Sequence, residues 1–174
     1  MRRPVFLLLL ILLQITLPVK LSGQKPDYRL FDNISLGTEA SVINCFLQDT
    51  QGLIWIGSNK GLFSYDGYST QPHFTFAKRN NTQIYCGTVV DSTYLYLGAD
   101  NGLLIYNYRT DTYEEPETQL PTDIRALLVH DGMLWLGTLN GLYTYSLNDH
   151  QLSAVTEGIP HQTTIFHMED FHTG

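Results

Sequence analysis

A motif that returns twice constrains this 174-residue chain more than any other feature. Leu53-Ile54-Trp55-Ile56-Gly57 recurs as Tyr94-Leu95-Tyr96-Leu97-Gly98, and again as Met133-Leu134-Trp135-Leu136-Gly137. Four residues beyond each closing glycine stands another: Gly61, Gly102 and Gly141. Leu62, Leu103 and Leu142 follow them, and Tyr65, Tyr106 and Tyr145 stand three residues further on. Every column is offset by 41 and then 39 residues. A fixed period of this size means stacked supersecondary units, because no single unit can bury its own apolar face.

Each unit reads as short strands. Val42 to Leu47, Ile84 to Val90 and Ile124 to Val129 are apolar runs that lead to Asp49, Asp91 and Asp131. Asp49-Thr50-Gln51-Gly52 is a longer turn than Asp131-Gly132, a two-residue hairpin signal. The aromatic motif is a second strand. Asn-Gly or Lys-Gly turns at Gly61, Gly102 and Gly141 lead into a third. A weaker fourth is expected at His73 to Ala77, Thr112 to Glu115 and Gln151 to Val155. Helical 3.6-residue periodicity is absent. Four antiparallel strands in about 40 residues mark an all-β chain of β-propeller blades. The blades are expected near 40–79, 83–118 and 123–157, with the start of a fourth at 163–174. Removing 23 residues as a leader leaves too few for a usual ring, so the ring is expected to be incomplete.

The N-terminus reads as an export signal. Met1-Arg2-Arg3 precedes the apolar run Val5 to Leu13, and Ser22-Gly23 supplies small residues for cleavage. Residues 24–39 read as a linker with an opening strand. The 10 basic residues include Arg2, Arg3 and Lys20, whereas all 17 acidic ones lie beyond residue 23. Without the leader the balance is 7 against 17, a charge of −10. That surface repels phosphate backbones, so no nucleic-acid contact is expected from this portion. An exported chain permits a disulfide. Cys45 and Cys86, however, sit in strand-like runs of separate units and read as small buried groups.

Chemistry-bearing motifs are sparse. There is no Gly-x-Ser-x-Gly elbow, His-Glu-x-x-His helix or phosphate loop, so neither a catalytic role nor a cofactor is expected. His161, His167, Glu169, Asp170 and His172 lack metal-ligand spacing, and no metal site is expected. Glu114-Glu115-Pro116-Glu117 reads as a solvated loop rather than a carboxylate pair across a cleft. Trp55 and Trp135 fall on the repeat frame and read as packing between blades rather than as sugar-stacking platforms. Tyr68, His73, Tyr85 and Tyr113 lie off the frame and are freer to touch a ligand.

The first unit, Asp49-x-x-Gly52-x-x-Trp55-Ile56-Gly57-x-x-x-Gly61-Leu62-x-x-Tyr65-Asp66, resembles the two-component regulator propeller repeat. The third unit keeps the pattern with a shortened Asp turn. The second replaces Trp by Tyr96 and is the most divergent. Tyr28-Arg29-Leu30-Phe31 resembles the short strand that opens such domains. The resemblance implies the periplasmic sensor region of a hybrid histidine kinase, read here as an N-terminal piece of a longer chain. It implies oligosaccharide ligands, further blades as partners and a homodimeric parent. The kinase, receiver and DNA-binding parts are not in this sequence. The competing expectation is a freestanding secreted propeller acting as a lectin-like or protein-binding module.

Overall fold

Asp131 and Gly132 both take positive φ, 50° and 73°, as a two-residue hairpin requires. They join two of the twelve strands in a computed structural model that describes residues 36, 42–73, 82–114, 116, 119–160 and 162–170. The first sheet holds β1 (Ile43–Gln48), β2 (Ile54–Ser58), β3 (Gly61–Tyr65) and β4 (Thr70–Pro72). The second holds β5 (Ile84–Val89), β6 (Tyr94–Ala99), β7 (Gly102–Asn107) and β8 (Thr112–Glu114). The third holds β9 (Ile124–His130), β10 (Met133–Thr138), β11 (Gly141–Ser146) and β12 (Leu152–Val155). Each sheet is antiparallel and ordered as the chain runs.

These are three propeller blades side by side, and no closed ring forms among the described residues. The strands that open each blade, β1, β5 and β9, lie side by side. The short β4, β8 and β12 form the opposite edges.

The middle sheet is buried on both faces, which explains its nearly unbroken apolar second strand. Leu95, Leu97 and Ala99 alternate with Tyr96 and Gly98, so the two sets face opposite ways. The first set joins Leu104 and Tyr106 against Trp55, Leu62 and Ile84. Tyr96, with Leu103 and Ile105, packs instead on Ile124, Leu134, Leu136 and Tyr145. Each interface thus combines the exit face of one blade with the entry face of the next.

Two expectations shift. The first blade's fourth strand comes earlier than His73, at Thr70–Pro72. The Asp66 carboxylate accepts from the Tyr68 and Ser69 amides and returns the chain at once. Thr163 to Asp170 form no ladder. Instead the Ile165 amide donates to Thr138 O at 2.9 Å, and Thr164 Oγ1 to Leu139 O at 3.0 Å. The leader, the opening strand at Tyr28 to Phe31, the rest of 24–39 apart from residue 36, and residues 74–81 lie outside the described residues. Among the described residues no helix is long and apolar enough to cross a membrane.

Candidate functional site

The repeat columns have separate physical tasks. Asp49 closes the turn after β1: its Oδ1 accepts from the Gln51 and Leu53 amides at 2.9 and 3.1 Å. Its Oδ2 accepts from Trp55 Nε1 at 3.0 Å, so one carboxylate fixes both turn and indole. Gly52 takes φ 90° in that turn. Asp91 accepts from the Thr93 and Tyr94 amides, while Asp131 is itself a turn residue.

Gly57, Gly98 and Gly137 make close approach possible. A methyl at Gly57 would lie 2.5 Å from Cys45 Sγ and 2.7 Å from Ile84 Cγ2. A methyl at Gly98 would meet Cys86 Sγ and Ile124 Cγ2 at the same two distances. At Gly137 it would meet Ile165 Cγ2 at 2.6 Å and Ala126 Cβ at 3.1 Å. Each notch receives the isoleucine that opens the next unit. Cys45 and Cys86 pair opposite Gly57 and Gly98, which settles their register as equivalent. Both cysteines are free. Burial pushes the Cys45 thiol up to about 11. Burial, then the neighbouring Cys45, pushes Cys86 up to about 12.

The next columns carry the contacts between sheets. Trp55 is 2% exposed and meets the Tyr106 ring edge-on. Tyr96 stands in the same place against Tyr145. Leu62 and Leu103 are buried beside them. Trp135 and Leu142 are only half-buried, so Trp135 is not the buried core ring expected from the frame. No further sheet lies against the third blade's exit face among the described residues. A cavity of about 170 Å³ opens beside β11 and β12, lined by Leu142, Tyr143, Ala154, Ile159 and Pro160, with no charged side chain. Gly61, Gly102 and Gly141 start the third strands. Tyr65 donates to Gly67 O at 2.8 Å.

Ser58 and Thr138 follow the closing glycines Gly57 and Gly137. Their hydroxyls donate to Gly61 O and Gly141 O and accept from the Lys60 and Asn140 amides. Ala99 takes this place in the second unit, without a hydroxyl.

His73, Tyr106, Tyr113 and Asp111 form a polar knot between the first two blades. His73 Nε2 is 2.8 Å from Ser64 Oγ, and His73 Nδ1 is 3.0 Å from Asp111 Oδ1. The order Ser–His–Asp invites a catalytic reading, which the surroundings oppose. Ser64 is 6% exposed and pairs opposite Trp55 in the ladder. The Tyr106 hydroxyl shares Nδ1 at 2.8 Å and donates to Asp111 at 2.6 Å. Tyr113 donates to the His73 carbonyl at 2.9 Å. The ring therefore ties two blades together. Partial burial opposes ionisation of Asp111, yet the Tyr106 hydroxyl and the His73 ring hold its carboxyl below the ordinary value. Burial, then the bond to Asp111, drives Tyr106 well above the usual phenol range.

The four off-frame aromatics separate clearly. His73 and Tyr113 belong to the knot. Tyr68 is 96% exposed on a turn. Tyr85 lies under the Arg125 guanidinium, 3.5 Å from Cζ to the ring centre. His167 Nε2 bonds Glu169 at 2.7 Å, and His130 Nδ1 bonds Asp170 at 3.0 Å. No group of three or more metal-ligating residues occurs among the described residues. Glu114 accepts from the Tyr94 hydroxyl at 3.1 Å. His161, His172, Glu115 and Glu117 lie outside the described residues.

Residues 37–60 match the family described as Two component regulator propeller. No curated protein matches the chain significantly. Two solved structures of the extracellular domain of BT4673 from B. thetaiotaomicron are 62% identical, with a TM-score of 0.72 over 76% of this chain. One is described as from a one component system and the other as from a hybrid two component system. The extracellular domain of BT3049 from the same organism, described as from a hybrid two component system, is 16% identical at a TM-score of 0.61, over 76% of this chain and 21% of that one. The computationally designed Ika4 protein is 16% identical at 0.57, over 80% of this chain and 88% of its own. The last two share the fold alone. The chain spans 18% of the length of the BT4673 domain. Residues 37–60 thus carry a two component regulator propeller repeat, seated in a blade, and the chain is similar to the BT4673 domain over the part it spans.

Proposed function

We propose that this chain contributes blades to the extracytoplasmic sensing propeller of a hybrid two-component system that responds to oligosaccharides. The supporting observation is the 62% identity to the extracellular domain of BT4673 over 76% of the chain. The leader-like N-terminus agrees with export to the periplasmic side of the inner membrane. The remaining blades of a longer chain would be its immediate partners, and the parent would act as a homodimer. The acidic surface favours a neutral ligand over a polyanion.

Its work is differential binding. A ligand moves output only by its unequal affinity for two arrangements of the sensor, so the propeller supplies a rigid platform rather than chemistry. The test is genetic. Disrupting the gene should abolish transcript induction by one class of polysaccharide and leave other classes unchanged. Unchanged induction across a broad polysaccharide panel would overturn the reading.

A further inference from the structure

A second regularity runs along β1, β5 and β9. Pairing passes from Ile43 to Cys45, from Ile84 to Cys86 and from Ile124 to Ala126, so each ladder skips one residue. The skipped residues are Asn44, Tyr85 and Arg125. Phe166 follows Ile165 as Tyr85 follows Ile84, and it is 67% exposed. A bulge bends its strand and re-aims a side chain, and bulges gather beside functional sites. Here the same bulge recurs in all three blades. The isoleucine before it is kept in every unit, while the skipped residue differs each time. A position with fixed backbone geometry and a variable side chain is not needed for the frame.

The side chains join across the neighbouring strands. Asn44 Nδ2 donates to Ile84 O at 2.6 Å. The Arg125 guanidinium lies on the Tyr85 ring and reaches Asp123 Oδ1 at 3.3 Å. Arg125 Nε has no partner among the described residues. The strip therefore offers an exposed aromatic face, a guanidinium seated on a second ring, an amide, and a donor beside an acceptor.

Resting on the oligosaccharide reading above, we infer that Asn44, Tyr85, Arg125 and Phe166 form a binding strip for a neutral oligosaccharide. Phe166 presents an exposed flat apolar face to a sugar ring, and the Tyr85 ring seats the Arg125 guanidinium. Asn44 and the Arg125–Asp123 pair match hydroxyls, which both donate and accept. Asp123 already balances the guanidinium, and the chain carries a net charge of −7, so a uronate gains little there.

The test is calorimetric titration of the full chain with cellotetraose, xylotetraose, β-1,4-galactotetraose and α-1,5-arabinotetraose, with trigalacturonate as the acidic arm. One neutral probe should bind. Tyr85→Ala and Arg125→Gln should each weaken it about tenfold. Asn44→Ala and Phe166→Ala change exposed side chains and guard against misfolding; both should also weaken binding. Tyr68→Ala should leave binding unchanged. Binding that survives all four strip variants overturns the strip and leaves the sensor reading standing. Preference for trigalacturonate overturns the neutral class. No binding by any probe overturns the strip and counts against the oligosaccharide reading with it.

Discussion

The indole of Trp55 meets the ring of Tyr106 at 5.4 Å between centroids and 69° between planes, across the gap between the first and second blades. This edge-to-face geometry directs the ring edge at a π face and adds to the area both rings bury. Trp55→Ala should destabilise the fold by roughly 3–5 kcal/mol. Trp135→Ala should cost about half of that, because less area leaves water on folding. Urea unfolding of both variants checks the order; equal costs would contradict the difference in burial.

Asp49 holds a turn and an indole with one carboxylate. Asp49→Ala leaves the buried Trp55 N–H without its acceptor and frees two turn amides. A loss of about 1–3 kcal/mol is expected, and Asp49→Asn should restore part of it. Chemical denaturation measures both.

Gly57 has no need of positive φ, so any cost of a side chain there is steric. Gly57→Ala should destabilise by about 1–3 kcal/mol through the clash with Cys45 and Ile84. Adding Cys45→Ala removes one of the two clashing groups. A double-mutant cycle should therefore show favourable coupling; strict additivity would mean the strand has simply moved aside.

The two thiols give the fold an alkaline weakness. Burial raises their folded pKa values to about 11 and about 12, above the unfolded values. The folded state then holds protons that the unfolded state releases, so stability is full below the unfolded pKa and falls as pH rises through the folded ones. Stability should decline from about pH 9 upward. The Cys45→Ala/Cys86→Ala variant should show a shallower slope between pH 9 and 10, before the tyrosines contribute. Thermal melts across that range give the answer.

Asp111 acts at the other end of the scale. Its depressed carboxyl favours the folded state above the unfolded pKa, and that contribution is lost as pH falls through the folded one. Asp111→Asn should flatten the acid limb of a stability–pH profile below about pH 4. An unchanged acid limb would mean that the knot of His73, Tyr106 and Asp111 adds nothing to blade cohesion.

Blades were legible because their columns depend on short-range physics. Turn glycines, Asp caps and strand alternation leave marks within a dozen residues. The fourth strand at Thr70–Pro72 was misplaced because Asp66 ends β3 with a tight side-chain turn that periodicity does not register. The half-burial of Trp135 was invisible for a different reason: its column matches Trp55, and only the neighbouring sheet distinguishes them. His73 and Asp111 are 38 residues apart in the chain, so nothing local pairs them. The bulge row was hidden by its own variety, since Asn44, Tyr85 and Arg125 share a backbone position and no chemistry. The isoleucine before each was in plain view.

Those isoleucines also set an order in time. Gly57 is filled by Ile84, Gly98 by Ile124 and Gly137 by Ile165. The filling residue is encoded 26 to 28 positions after its notch. At a synthesis rate of about 5–20 residues per second, each blade waits roughly one to six seconds for the piece that completes it. During synthesis, none of these three notches can be filled before the next unit has begun to emerge.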